Sequence, residues 1–293
     1  MASEYKAIVW RGEPRLEQRL LPLVPRGWVL LRVEFARWCP LDTAVATGIL
    51  PTENGVVMGC SGAGTVVELG VDADTSLAGK RAALLRVDEN YLPPLRGDGF
   101  LASYVSVPST HLIEVNDTSP LAVFLLDSSI ACEAASTVAD ADKVLVTGGS
   151  SFGLFTALIL SDMGYKVSLY TGRSSAKRLA RSLGLEPVEK VNQRYDVVVA
   201  ASLDVYTLER VLLASRPRKL LLHPAFAFHA WPSCRGCKRL EIVTVHGGEA
   251  GCAKILLSKT RRVIEENIGV VDEPSVPPWN SGPLLGYVFK FKI

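Results

Sequence analysis

The run Gly148-Gly149-Ser150-Ser151-Phe152-Gly153 has a chemistry set by its backbone. Where a glycine-rich turn leads from a buried strand into a helix, N–H groups and the helix dipole both favour an anion such as phosphate. Gly148 and Gly153 occupy the first and third glycine positions of the dinucleotide-binding fingerprint. Ser150 replaces the middle glycine and adds a Cβ where the backbone normally approaches the pyrophosphate. Ser151 and Phe152 complete the loop as candidate cofactor-contacting residues. A tight turn that binds nothing is the competing reading; strand, loop, helix and second strand in order favour the nucleotide.

The end of the following strand chooses between cofactors. An NAD site places a carboxylate there to hold the ribose 2′-hydroxyl. This chain has Tyr170-Thr171-Gly172-Arg173-Ser174-Ser175, with Lys177 and Arg178 just beyond and no acid. Hydroxyls and a guanidinium suit a 2′-phosphate, because arginine forms a fork of charge-assisted bonds to phosphate. Thr171, Arg173, Ser174 and Lys177 are therefore candidates for NADP(H) recognition, against the reading of an ordinary solvated helix start.

Cys234-Arg235-Gly236-Cys237 is a lone CxxC that follows Pro232. With no second pair it is a weak metal signal; redox, metal-binding and inert readings stay open, and a local structural role is favoured. Cys132 and Cys252 fall in helical stretches and are expected to pack as small apolar side chains. His111, His223, His229 and His246 show no i, i+4 ligand spacing. His223-Pro224 closes an expected strand at the sheet edge where such folds bind ligands. His223 either lines the nicotinamide side of that edge or is a structural histidine.

These residues need elements to hold them. From Val144 onward, strand and helix alternate with short connections. Val144–Thr147, Val167–Tyr170, Val197–Ala200, Leu220–His223 and Ile242–Val245 are strands, and Leu154–Met163, Ser175–Leu183 and Thr207–Ala214 are helices. Such alternation predicts a parallel sheet with helices on both faces. The first 115 residues are instead β-rich and punctuated by glycine and proline, with strands at Val29–Phe35 and Gly64–Leu69. The closing segment Tyr287–Ile293 alternates apolar and polar residues, which suits a one-sided sheet and predicts a return to the N-terminal β domain.

Composition narrows the partners. Residue counts give 293 residues, 48% apolar and 21% charged, with a net charge of +2. That length corresponds to about two domains. A near-neutral surface carries no whole-chain signature for nucleic acid or anionic membrane. No apolar stretch approaches the roughly 20 residues of a membrane helix. The charged N-terminus lacks a signal-peptide core, and six scattered cysteines do not make a disulfide scaffold. A soluble, cytoplasmic α/β protein acting on a small-molecule substrate is the expectation.

Further motifs resemble those of one family. Cys39-Pro40-Leu41-Asp42 with Thr47-Gly48, then Gly59-Cys60-Ser61-Gly62-Ala63-Gly64 with Val66-Val67-Glu68-Leu69-Gly70, then Gly79-Lys80-Arg81 and Gly99–Val105, follow in order. The chain thereby resembles the zinc-containing alcohol dehydrogenases of the medium-chain dehydrogenase/reductase superfamily. The resemblance implies a GroES-like β-rich catalytic domain over 1–118, with a C-terminal return over 275–293. It implies a doubly wound Rossmann domain over 119–274 and an active site in the cleft between them. It also implies hydride transfer between NADP(H) and an alcohol, aldehyde or ketone, and a homodimer or homotetramer built through the Rossmann sheet edge.

Departures from the family pattern bear on the chemistry. The signature's His-Glu is Cys60-Ser61 here, and thiolate can replace imidazole on tetrahedral zinc. The resemblance then implies one catalytic zinc on Cys39, Cys60 and Asp127, with Asp42 as a supporting carboxylate. Two thiolates and a carboxylate weaken zinc as a Lewis acid. Leu41 stands where relatives place the proton-shuttling Ser or Thr, and Thr43 and Thr47 lie near it in sequence. Arg86–Phe100, without cysteine, replaces the lobe that binds a structural zinc in many relatives, so none is expected. Two alternatives stay open: a zinc-free reductase resembling the quinone oxidoreductases, and a nucleotide-binding protein with little or no catalysis.

Overall fold

A computed structural model describes residues 4–116, 119–139, 141–229, 232, 239–272, 275–277 and 282–291. The chain divides into two units, Met1–Leu126 with Leu257–Ile293, and Asp127–Leu256.

In the first unit, β1 (Glu4–Trp10) and β2 (Pro14–Leu20) form an antiparallel hairpin. The long β3 (Trp28–Trp38) runs into a short helix α1 (Pro40–Ala46). β4 (Ser61–Leu69), β5 (Arg81–Leu84), β6 (Tyr104–Pro108) and β7 (Leu112–Glu114) follow. β3 is almost wholly buried because it pairs antiparallel with both β4 and β6. Between β5 and β6, the cysteine-free segment 86–100 is anchored by Tyr91. That ring is fully buried, stacks edge-on against Trp28, and donates its hydroxyl to Asp98 O at 3.1 Å.

The second unit begins in α2 (Leu125–Thr137). It continues through β8 (Lys143–Thr147), α3 (Ser151–Asp162), β9 (Lys166–Tyr170), α4 (Ser174–Ser182) and β10 (Glu186–Val188). β11 (Val197–Ala200), α5 (Val205–Ser215), β12 (Lys219–Leu222) and β13 (Glu241–Thr244) complete a sheet paired parallel throughout. Its order is β10-β9-β8-β11-β12-β13. Numbered from β8, that is 3-2-1-4-5-6, the doubly wound dinucleotide-binding order. In such an order, right-handed crossovers, the rule for parallel strands, put the helices of the two halves on opposite faces. Leu145, Val198, Ala200, Leu212 and Leu220, with Phe226, fill one core cluster.

α6 (Ala250–Asn267) carries the chain from the second unit back into the first. There β14 (Gly269–Val271) pairs parallel with β15 (Tyr287–Lys290), and β15 pairs antiparallel with β3. The expected return of the C-terminal strand is thus realised. The unit boundaries fall within the residue ranges of α2 and α6. Among the described residues, no helix is long and apolar enough to cross a membrane.

Candidate functional site

The glycine loop sits where the sheet order reverses, between β8 and β11. Gly148 has φ +101°, and a Cβ there would lie 2.7 Å from the carbonyl carbon of Ala201 at the end of β11. A Cβ on Gly153 would lie 2.5 Å from Gly148 O. Gly149, which the fingerprint leaves variable, is also constrained: a side chain would collide with Ala176 Cβ on α4. Sequence reading missed that role, since the obstacle lies 27 positions away on another helix. Ser150 sits at the N-cap of α3 but does not cap it; its hydroxyl donates to Ala201 O at 3.3 Å. The two halves of the sheet are thereby tied across the reversal point, and the helix N-terminus keeps its preference for an anion.

Ser151 donates its hydroxyl to the Asp127 carboxylate. Phe152 is buried and its ring faces His223, with centroids 5.7 Å apart. His223 Nδ1 accepts from Ala225 N–H at 3.1 Å, which leaves the neutral ring's proton on Nε2. Burial pushes this imidazole down to about 4, against the opposing pull of Asp127 and with help from His246. His223 is therefore neutral at physiological pH.

At the end of β9, Thr171 is buried and its Oγ1 accepts from Arg173 N–H at 3.3 Å. This turn delivers Arg173 to the N-cap of α4 and Ser174 to its first residue, both exposed. Lys177 is engaged instead: its Nζ pairs with Glu189 at 2.6 Å. The cationic face here is thus led by Arg173.

In the first unit, Asp42 organises both signature cysteines. Its carboxylate accepts from the backbone N–H of Cys39 at 2.9 Å, Gly59 at 2.6 Å and Cys60 at 3.2 Å. The bond to Cys39 closes a capping box on α1, where the Cys39 sulfur accepts from Leu41 N–H. Gly59 has φ +106°, and a Cβ there would strike the backbone of Leu101 at 2.5 Å. Asp42 is fully buried, and burial raises it to about 6 despite the three N–H donors and Arg37. Arg37 is equally buried, donates to Leu285 O at 2.9 Å and lies 4.1 Å over the Phe124 ring.

The two cysteines so placed are joined as a disulfide, with Cα atoms 6.2 Å apart. Cys39, Asp42 and Cys60 are also the group among the described residues whose ligand atoms all lie within 4.8 Å of one another. The donor types suit zinc when the sulfurs are thiolates; a disulfide offers none. Asp127, expected as a third donor, lies in the second unit with Ser151. Hydroxyls near Leu41 are spent on structure. Thr43 accepts from Trp38 Nε1 at 3.0 Å, Thr47 donates to Thr43 O at 2.8 Å, and Ser61 donates to Val123 O at 2.8 Å.

The remaining cysteines correct one expectation. Cys132 and Cys252 are not independent apolar side chains but a disulfide between α2 and α6, with Cα atoms 6.1 Å apart. Cys234 and Cys237 lie outside the described residues.

Comparison with known proteins places this architecture. Residues 25–117 match the alcohol dehydrogenase GroES-like domain. No curated protein sequence matches the chain. Among solved structures, acetophenone reductase from Geotrichum candidum in complex with NAD is similar over 99% of this chain and 98% of its own, at 17% identity and TM-score 0.76. A Sinorhizobium meliloti protein described as a zinc-binding dehydrogenase and bound to NADP is similar over 98% of this chain and 99% of its own, at 18% identity and TM-score 0.72. A thermostable alcohol dehydrogenase from Pyrobaculum aerophilum is similar over 98% of this chain and 100% of its own, at 16% identity and TM-score 0.72. The chain shares the fold of these dehydrogenases and reductases. Its residues 25–117 are a GroES-like domain of the alcohol dehydrogenase type.

Proposed function

We propose that the chain is an NADP(H)-preferring oxidoreductase of the alcohol dehydrogenase type, moving a hydride between the dinucleotide and an alcohol, aldehyde or ketone. The observation that carries this reading is the glycine loop at the reversal point of a 3-2-1-4-5-6 sheet, with Arg173 exposed at the end of the second strand. When bound, the nicotinamide supplies or accepts the hydride. The chain's own part is to seat the pyrophosphate on Gly148–Gly153 and the first turn of α3, and to meet a 2′-phosphate with Arg173, Ser174 and the Thr171 turn. His223 offers a neutral N–H donor at the same edge, at the end of β12.

The first unit supports a metal when the Cys39–Cys60 pair is reduced. Cys39 and Cys60 thiolates would then hold zinc, which would polarise a substrate oxygen. Asp42 would fix both ligands through their backbone N–H groups. The disulfide supports a second reading, a metal-free reductase resembling the quinone oxidoreductases, because bonded sulfurs are not ligands. Metal analysis separates the two. Zinc near one per chain in reduced protein, lost in Cys39→Ala, supports the first reading; its absence supports the second. We further propose a homodimer or homotetramer joined through β13, an edge strand whose Ile242 is 40% exposed. A monomer in light scattering would reject it.

Cofactor choice is tested by titration. NADPH should bind more tightly than NADH, and Arg173→Ala should weaken NADPH by about 10- to 100-fold, the worth of a charge-assisted bond, while leaving NADH unchanged. Equal wild-type affinities would reject the role of Arg173. A substrate screen run after binding is established separates an enzyme from a pure binder.

A further inference from the structure

Ser129, Cys132 and Glu133 stand at i, i+3 and i+4 on α2, so one face of that helix carries all three. Each is joined to the stretch that leaves β13 and enters α6. Glu133 Oε2 accepts from His246 N–H at 2.5 Å and Gly247 N–H at 2.6 Å. Ser129 Oγ accepts from the next N–H, that of Gly248. Cys132 is bonded to Cys252, two residues into α6 beyond Ala250. Three successive backbone donors and one covalent link are thus anchored on a single helix face.

The anchored stretch would be mobile without them. Gly247 and Gly248 have φ of +90° and +130°, a region open to glycine and costly in entropy to hold. A Cβ on Gly248 would meet nothing within 4 Å, so no neighbour crowds that side of the residue. The loop begins at the carboxyl end of β13, beside β12 and His223, on the edge where open parallel sheets bind ligands. His246 Nδ1 is buried there with no hydrogen-bond partner. Buried polar atoms are normally satisfied, so an unspent one at a ligand edge marks a place prepared for a missing group.

We propose that Ser129, Glu133 and the Cys132–Cys252 disulfide act as one clamp that holds His246–Gly248 in the shape that meets the dinucleotide, with Glu133 as a positioning residue for the cofactor. The inference rests on the reading that a dinucleotide binds at this edge. Glu133 contributes most, because a carboxylate shared by two N–H groups forms charge-assisted bonds stronger than neutral ones.

Amide hydrogen exchange on the unliganded full chain, followed by NADPH titration, tests the clamp. Glu133→Ala should speed exchange at 246–248 by about tenfold and raise the NADPH Kd by about the same factor, the worth of a bond to a charged group. Amides of β8 and β11 should stay as protected as in the wild type. Glu133→Gln keeps one oxygen acceptor and should fall between, with NADPH affinity and exchange at 246–248 moving together while β8 and β11 stay protected, which a general loss of stability would not produce. The paired variant Cys132→Ser with Cys252→Ser should speed the same three amides more than those of β8. Unchanged exchange at 246–248 in Glu133→Ala would overturn the proposal, as would equal acceleration across the whole second unit. Exchange is read without cofactor, so a wild type that binds no NADPH would count against the dinucleotide reading and is distinguishable from failure of the clamp.

Discussion

The two units spend their polar side chains in different ways. In the first, Asp42, Thr43, Thr47 and Ser61 are all committed to backbone or neighbouring groups, and the two sulfurs they surround are bonded to each other. In the second, the glycine loop has no side chain at Gly148, Gly149 or Gly153, Arg173 is exposed and His246 Nδ1 is unspent. The first unit therefore holds a fixed pair of sulfurs whose oxidation state decides what they can do. The second holds an exposed guanidinium and a buried ring nitrogen that the fold does not use. Commitment to structure and availability for chemistry are opposites, and each unit has chosen differently around residues of similar type.

The largest effect should come from breaking the commitment in the first unit. Asp42→Ala strands the N–H groups of Cys39, Gly59 and Cys60 in the interior, each costing about 1–3 kcal/mol. Urea unfolding should show a loss of at least about 3 kcal/mol; a loss below about 1 kcal/mol would mean that Asp42 does not organise the pair.

A test of comparable size lies in the second unit and uses pH. His223 has its pKa depressed to about 4 from 6.5, so its contribution is present above pH 6.5 and is lost as pH falls through 4. The stability advantage of wild type over His223→Asn should shrink over that window by up to about 3 kcal/mol, an upper bound because the ring is partly exposed. An advantage that does not change between pH 7 and pH 4 would show that the ring is not desolvated.

The smallest effect concerns the loop. Gly149→Ala should cost about 1–3 kcal/mol through overpacking against Ala176. Gly172→Ala, where a Cβ meets nothing within 4 Å, should be close to neutral in the same thermal melts. Equal behaviour of the two variants would show that the loop yields without strain.

Much of the second unit was legible in the linear chain. Strand runs such as VLVT and VVVA, with an apolar and an amphipathic helix between them, declare a parallel sheet through short-range periodicity, and the glycine loop is contiguous. β10 was not legible, because Glu186-Pro187-Val188 is too short and mixed to stand out as a strand. In the first unit, the alternating terminal strand announced its return, but the β1–β2 hairpin went unread. The motifs around Cys39 and Cys60 were visible as motifs. That the Thr43 hydroxyl is spent on Trp38 and Cys39 O, and that of Thr47 on Thr43 O, was not, since side-chain commitment depends on the helix turn and strand that surround them.

The order of residues alone determined the alternation of elements, the glycine-rich turn between a strand and a helix, the absence of an acid just after Tyr170, and the proximity in motif of two thiols and an aspartate. These follow from local periodicity and from residue type, which need no knowledge of distant neighbours. Tertiary structure decided which cysteines are bonded, why Gly149 must lack a side chain, that Asp127 serves Ser151, and that one face of α2 fastens the loop after β13. Each of those depends on atoms far apart in the chain, brought within a few ångströms by strand pairing and helix packing.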